Sequence, residues 1–302
     1  MKKLLLIGGT GFVGNHIGSL FKNSHTVVST GSEVDIRSVD NLYSLIENVN
    51  PDLVINLAAI TTIKESFEDP YKTYNVNFLG TLNLLSALRR NNFSGRLLFI
   101  SSSEVYGLVN EDKLPIYENT CTKPVNPYAV SKVASESLCY QWNKTENFEI
   151  LIARPFNHIG PGQSDRFSIS NFGKQVAKIK LGIDKPIIKV GDVSTVRDFT
   201  DVRDVANAYK LLLTNGNSGD IYNICSNNGK SIEALLIRMA ELFNLNIELQ
   251  IDDSRLRVNE QRIVVGSNTK LIEDTGWMQK YSLDETLKDI VNYWIDQING
   301  YQ

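Results

Sequence analysis

Cysteine and histidine are scarce here, three of each in 302 residues. Cys121, Cys139 and Cys225 are odd in number and widely spaced, and no C-x-x-C occurs. Neither a disulfide framework nor a zinc site is indicated, so no metal is expected. This cysteine usage fits a reducing cytoplasm. An excess of one charge is also missing: 31 basic and 34 acidic residues give a net charge of −3. That balance points away from nucleic acid and from an anionic membrane as partners. A bound anion would need local basic residues rather than a global field. Long apolar runs are absent as well. The opening Leu4-Leu5-Leu6-Ile7 stops at Gly8, too short for a signal-peptide core or a membrane span. It reads as a buried first strand. There is no low-complexity segment and no internal repeat.

What is present is a soluble, globular pattern, with 42% hydrophobic residues spread over the whole chain. The length sits at the upper edge of a single core, which predicts one large domain or two intimate ones. Strand-like runs at residues 4–7, 26–30, 52–57, 96–101 and 148–153 alternate with helical patterns at 12–21, 41–48, 74–90 and 128–144. That alternation predicts an α/β fold, a doubly wound parallel sheet covered on both faces. After Arg154-Pro155 the texture changes. Residues 187–190, 220–224 and 247–251 are short strand candidates, and 232–243 and 283–298 have the spacing of amphipathic helices. These segments predict a smaller C-terminal portion on the far side of a cleft.

Two motifs carry chemistry. Gly8-x-x-Gly11-x-x-Gly14 follows a predicted strand and opens a predicted helix. Its first glycine permits the tight turn, its second the approach of a pyrophosphate, and its third close helix packing. Gly8, Thr10, Gly11, Phe12, Val13 and Gly14 are thus the candidate phosphate cradle of a dinucleotide. The second predicted strand ends at Ser29-Thr30-Gly31-Ser32, without the carboxylate that would bond an adenosine 2′-hydroxyl. Small hydroxyl residues there tolerate a 2′-phosphate, although no arginine stands ready to grip it. NADPH is therefore favoured over NADH as the cofactor, with dual use open. Asp35 and Ile36 could sit near the adenine instead, and Leu57, Ala58 and Ala59 end the third strand with residues small enough to pass beneath a cofactor.

The second motif is Tyr128-Ala129-Val130-Ser131-Lys132. Tyr128 and Lys132 are four apart and share one helix face. A phenol of pKa ~10 is a poor acid–base group at neutral pH, and a nearby ammonium favours its ionised form. Lys132 could also bond the nicotinamide ribose. Ser102, at the end of the strand 96–101, would place a hydroxyl beside the substrate oxygen. With the glycine motif upstream, these residues predict a nicotinamide-dependent enzyme acting on an alcohol or ketone.

Gly8-x-x-Gly11-x-x-Gly14, Asn56-Leu57-Ala58-Ala59, Ser101-Ser102-Ser103-Glu104-Val105-Tyr106-Gly107 and Tyr128-x-x-x-Lys132 together resemble one family, the extended short-chain dehydrogenase/reductases that act on nucleotide sugars. Arg154-Pro155-Phe156-Asn157-His158-Ile159-Gly160-Pro161-Gly162-Gln163 narrows the resemblance, as does Val196-Arg197-Asp198-Phe199-Thr200-Asp201-Val202-Arg203-Asp204. Both are similar to the subgroup of GDP-mannose 4,6-dehydratases and GDP-4-keto-6-deoxy-D-mannose reductases, in wording closer to the reductases. The resemblance implies a Rossmann domain over residues 1–160, with about 198–225 returning to it. It also implies a smaller α/β substrate-binding domain, mainly 161–302. Ser102, Tyr128 and Lys132 would be the catalytic trio, and Asn77 the asparagine that orders the active-site helix. Ser103 and Asn157 would touch the substrate. Arg197 and Arg257 would clamp its diphosphate, as guanidinium forks do well, and Glu260 would lie near the nucleotide ribose. Helices 74–90 and from 128 onward form a homodimer interface in relatives, so a homodimer is expected.

Glu104 leaves the reaction open. In dehydratases of this superfamily a glutamate at the matching place removes a proton beside the keto carbon, and the retained cofactor takes its hydride back. The reductases keep a Ser-Glu too. Gly11-Phe12-Val13-Gly14 lacks the Gly-Gln-Asp-Gly wording common in the guanosine dehydratases, and the substrate half has no long insertion. The expected reaction is reduction of the C4 keto group of a nucleotide-diphosphate 4-keto-6-deoxy sugar, GDP-4-keto-6-deoxy-D-mannose to a GDP-6-deoxyhexose. The alternative is a nucleotide-sugar 4,6-dehydratase or epimerase. Where the family reads Arg-Pro-x-Glu-Val-Pro, this chain has Arg257-Val258-Asn259-Glu260-Gln261-Arg262. The stiffening prolines are gone, which leaves the base and the sugar open. Redox-sensing regulators share the fold but lose the tyrosine–lysine pair, which is intact here.

Overall fold

A computed structural model describes residues 1–252 and 261–300. Apolar runs bounded by glycine, proline and asparagine become the parallel strands. In the first half these are β1 (Lys2–Ile7), β2 (His25–Ser29), β3 (Leu53–Asn56), β4 (Arg96–Ile100) and β5 (Glu149–Pro155). The helices between them are α1 (Phe12–Phe21), α2 (Val39–Val49), α3 (Ile63–Glu68), α4 (Pro70–Tyr74), α5 (Gly80–Arg90) and α6 (Pro127–Thr145). Successive residues of β1 serve opposite layers. Leu4 and Leu6 join the core beneath α1, while Leu5 and Ile7 join the core beneath α2 and α5. A strand buried on both faces needs an unbroken apolar run rather than an alternating one, which is what residues 4–7 supply.

Residues 74–90 are not one helix. A wide π-helical turn, Asn75–Leu79, separates α4 from α5, and α3 precedes them where no helix was expected. The turn carries Asn77 inward, where its amide bonds the backbone of Ile60 and the hydroxyl of Ser131. Gly80 resumes the α-helix at a point where a Cβ would lie 2.9 Å from Ile36 Cγ2.

The second half interleaves with the first. β6 (Asn157–Ile159), α7 (Ser168–Lys180), β7 (Ile187–Val190) and β8 (Val196–Asp201) lead into α8 (Val202–Asn215) and β9 (Ile221–Ile224). β9 pairs with β5, completing a six-stranded parallel sheet of order β2-β1-β3-β4-β5-β9. Then follow β10 (Gly229–Ser231), α9 (Ile232–Glu241), β11 (Glu248–Ile251), β12 (Ile263–Val264), α10 (Thr269–Thr275) and α11 (Leu283–Gly300). β8 is paired by β6, β10 and β12, and β11 pairs with β7. A separate core including Ile159, Phe172, Val176, Met239, Leu287 and Ile290 fills this part.

Three buried aspartates bracket the late segments. Asp198 accepts from Ser226 N (2.7 Å), Ser226 Oγ (2.6 Å) and Gly266 N (3.2 Å). Asp201 caps α8 and accepts from Thr286 Oγ1 at 2.7 Å. Asp204 accepts from Lys280 N and Tyr281 N. Burial pushes Asp198 and Asp204 above the usual carboxylate range, against these hydrogen bonds.

Candidate active site

The glycine turn is packed from within and open at its rim. A Cβ on Gly8, whose φ is +74°, would lie 2.7 Å from Ala58 N, and one on Gly14 would lie 2.2 Å from Gly9 O. Leu57-Ala58 is thus pressed against the turn, and α1 starts too close to it for any side chain at Gly14. Around Gly11 only Gly8 O comes within 4 Å of a Cβ position. Thr10 and Gly11 are exposed and Val13 is half-buried. Helix α1 begins there with no side-chain cap, so its first N–H groups face outward. That cradle fits a dinucleotide pyrophosphate.

Beyond the small residues that end β2, charged groups follow. Glu33 accepts from Gly31 N at 2.6 Å, and Arg37 forks onto the carboxylate of Asp35 at 2.8–3.1 Å. Arg37 lies six residues beyond Gly31 and is held by that carboxylate. Ile36 turns inward to the core, where it meets Gly80.

At the far end of the sheet, β4 and α6 bring the reactive groups together. Asn126 caps α6 by accepting from Ala129 N at 2.7 Å, and Pro127 fills the first helical position, where no N–H is needed. One buried face of α6 carries Tyr128, Ser131, Lys132, Ser135, Glu136 and Cys139. Ser102 opens a short 3₁₀ turn, Ser103–Tyr106, and its oxygen accepts from Glu104 N at 3.2 Å. Burial pushes the Tyr128 phenol up to about 12, while the Ser102 hydrogen bond pulls it down and the Glu104 charge raises it. Lys132 Nζ donates to Ile100 O at 2.7 Å. Burial brings its ammonium down to about 8, opposed mainly by the charges of Cys139 and Glu136; Cys139 is held neutral by its own burial, so Glu136 is the group that matters. Asn77 Nδ2 donates to Ser131 Oγ, and Ser135 Oγ donates to Asn77 O, tying the π turn to α6.

Glu104 is committed on one side, its Oε2 accepting from Asn126 Nδ2 at 3.1 Å. Ser103 is half-buried beside it. Asn157 is exposed at the start of β6, in register with Phe199 of β8. His158 next to it stacks on Phe12 of the glycine turn, with ring centroids 6.2 Å apart. Arg197, half-buried on β8, donates to Val196 O and Arg262 O. Arg257 and Glu260 lie outside the described residues.

Sequence reasoning missed the polar layer beneath these groups. Glu136 and Arg154 form a buried ion pair, at 2.9 Å through Nε and 2.7 Å through Nη2, and Ser101 Oγ donates to the same carboxylate at 2.5 Å. Glu136 lies one turn beyond Lys132 on the same buried face, a spacing that by itself does not tell a buried glutamate from a solvated one. Among the described residues no cluster could hold a metal ion, and no helix is long and apolar enough to cross a membrane.

Comparison with known proteins agrees over nearly the whole chain. Residues 20–290 match the family model described as GDP-mannose 4,6 dehydratase. The chain is 42% identical over 300 residues to GDP-6-deoxy-D-mannose reductase of Pseudomonas aeruginosa, covering 98% of each. It is 30% identical to GDP-6-deoxy-D-talose 4-dehydrogenase of Aggregatibacter actinomycetemcomitans, covering 91% of each. The solved structure of RMD from Pseudomonas aeruginosa, complexed with NADPH, superposes with a TM-score of 0.92 at 42% identity, over 98% of this chain and 100% of that one. UDP-glucose 4-epimerase of Thermus thermophilus, in complex with NAD, gives 0.85 at 28% identity, over 97% and 98%.

Proposed function

This chain belongs to the GDP-mannose 4,6-dehydratase family, a branch of the extended short-chain dehydrogenase/reductases, and on that premise we propose that it is an NADPH-dependent 4-keto reductase of nucleotide sugars. The substrate is GDP-4-keto-6-deoxy-D-mannose and the product a GDP-6-deoxyhexose. The observation that carries this reading is the buried Ser102–Tyr128–Lys132 group at the ends of β4 and α6, together with the 42% identity to a GDP-6-deoxy-D-mannose reductase.

The cofactor would lie along the strand ends, its pyrophosphate on the turn from Gly8 to Gly14 and its nicotinamide end toward Lys132. Asp35 and Arg37 would flank its adenosine ribose, with Arg37 the group suited to a 2′-phosphate. When bound, the reduced nicotinamide supplies the hydride for C4. Tyr128 gives its proton to the C4 oxygen as negative charge builds there, and Ser102 steadies that oxygen with a hydrogen bond. Lys132 holds a positive charge beside the phenolate left behind, and so lowers the cost of releasing the proton. Asn157, Ser103, Arg197, Arg257 and Glu260 would hold the sugar and diphosphate. Residues 1–160, with the return of about 198–225, serve as the cofactor half, and the rest of 161–302 as the substrate half. Glu104 steadies the capping residue of the catalytic helix through Asn126 Nδ2, and the 42% identity to a reductase favours reduction over dehydration.

A homodimer is part of the same reading. Phe67 (61% exposed), Tyr71 (81%) and Tyr140 (59%) leave apolar surface uncovered on α3, α4 and α6, and scattering-based mass measurement checks it. A cytoplasmic location is supported by the three free cysteines. The deciding experiment mixes the protein with GDP-4-keto-6-deoxy-mannose and NADPH, then NADH, and follows the reduced-nicotinamide absorbance. Stoichiometric loss is expected, faster with NADPH. Conversion of GDP-mannose to a keto sugar without added reductant would overturn it in favour of a dehydratase.

A further inference from the structure

The polar layer beneath Tyr128 and Lys132 joins three elements at one carboxylate. Ser101 reaches it from the end of β4, Arg154 from β5, and Glu136 itself belongs to α6. All three side chains are buried. Arg154 is bracketed in turn by Glu118 O at 3.1 Å and by the Tyr106 ring, 4.8 Å from its Cζ. Tyr106 is anchored through its hydroxyl to Asn223 Oδ1 on β9.

We propose that Glu136, gripped by Arg154, is a positioning residue for the proton transfer: through Ser101 it holds the strand end that carries Ser102 against the helix that carries Tyr128 and Lys132. The inference rests on the reading of Tyr128 as the proton donor. Ser102 and Tyr128 come from different elements, and their two hydroxyls must meet the same substrate oxygen. A misplacement of about 1 Å at such a site costs up to 10²-fold in rate. Two side chains of α6 hydrogen-bond the last residue of β4 and the one after it. Lys132 bonds Ile100 O and Glu136 bonds Ser101. The first of these contacts is made by a group that the reaction itself needs. The second stays in place throughout, because both carboxylate oxygens are occupied and the side chain is 7% exposed. Ser101 is also the residue directly before Ser102, so the contact acts where register matters.

The pair has an electrical consequence too. The titratable groups around Lys132 and Glu136 are Cys139 on α6, Arg154 on β5, Tyr106 in the 3₁₀ turn and Glu118 in the loop before α6. Glu104 faces Tyr128 from the same turn. Glu136 is the carboxylate that supports the Lys132 ammonium, and Arg154 is the cation that would be left if it were neutralised.

Two variants separate geometry from charge. Ser101→Ala keeps the ion pair and cuts its link to β4. Glu136→Gln keeps the shape and an acceptor for Ser101 but leaves Arg154 unpaired. For Ser101→Ala, kcat is expected to fall about tenfold with NADPH affinity unchanged, and the melting temperature should drop by no more than one buried hydrogen bond accounts for. For Glu136→Gln, the basic limb of the kcat–pH profile is expected to move to lower pH. The Lys132 Cε carbon, followed by NMR in the cofactor-free protein and assigned with Lys132→Met, should titrate lower as well. Full kcat in Ser101→Ala, with only a lower melting temperature and an unmoved pH profile in Glu136→Gln, would reduce Glu136 to a structural ion pair. Should Glu136→Gln not fold, the Ser101→Ala rate decides alone. Tyr128→Phe, measured alongside, isolates the premise: wild-type kcat there removes Tyr128 from the reaction, and this inference with it.

Discussion

Buried carboxylates at two places in this molecule, three aspartates on β8 and α8 and one glutamate on α6, are neutralised in different ways. On β8 and α8, Asp198 and Asp204 are met chiefly by backbone N–H groups of residues far along the chain, Ser226, Gly266, Lys280 and Tyr281. Asp201 accepts from the start of α8 and from Thr286, and the Arg203 guanidinium of α8 itself closes onto it at 2.7 Å. On α6, Glu136 is met by a guanidinium and a hydroxyl, within reach of the electric field at Lys132. The first arrangement fixes where loops go and moves no proton. The second couples a fixed charge to a titrating group. A buried acid is therefore read by its partners: backbone donors mark architecture, and side-chain cations near a titrating residue mark chemistry.

That contrast can be broken at several points. Tyr128→Phe should have the largest effect, a fall in kcat of about 10²–10⁴-fold, with NADPH affinity and thermal stability retained. Retained turnover would move the chemistry elsewhere. Asp198→Asn should do the reverse. It turns an amide N–H toward donors that need an acceptor, at a cost of about 1–3 kcal/mol in unfolding free energy, while kcat per folded molecule is preserved. Denaturant unfolding and active-site titration read the two separately.

The pH dependence sharpens the comparison further. Lys132 is lowered from its ordinary 10.5 to about 8, so reduction should slow above about pH 8 as its ammonium is lost. Over the same window the folded state should gain stability, because the unfolded chain still binds the proton that the native state has released. Asp198 and Asp204, raised by burial, have the opposite sign. Just above 3.8 the native state keeps protons that the unfolded chain has lost, so stability falls as pH rises there. Unfolding midpoints across pH test both slopes. The smallest effect belongs to an exposed pair outside both clusters: Arg37→Ala should narrow the preference for NADPH over NADH about fivefold, read from the two kcat/KM values.

The elements visible in the sequence were those whose burial is local and apolar. Strand β1, the glycine turn and α6 announce themselves because every residue that matters lies within one short window. β6, β8, β10 and β12 do not. Val196-Arg197-Asp198-Phe199-Thr200-Asp201 alternates poorly as a strand, since Asp198, Thr200 and Asp201 are all buried, and the partners that permit it lie up to 85 residues away. The π turn at Asn75–Leu79 was hidden for a related reason. Its cause is the bond from Asn77 to Ile60 and Ser131, which no periodicity carries. In the site, Tyr128 and Lys132 were legible from their spacing. Glu136 and Arg154 were not, because a glutamate on a helix and an arginine before a proline look like surface residues until β4 and β5 are laid against them.

The place of β9 in the sheet has a consequence for how the chain is made. It covers the open edge of β5, yet it is reached only at residue 221, after α7, β7, β8 and α8 have been laid down. During synthesis the first 155 residues therefore emerge as a five-stranded sheet with a bare, apolar edge at Ile150 and Ile152. Such an edge invites pairing with other chains until its own partner leaves the ribosome. The vulnerable interval is set by translation speed over some seventy codons, roughly 4–14 s at 5–20 residues per second, and a pause placed before β9 would lengthen it.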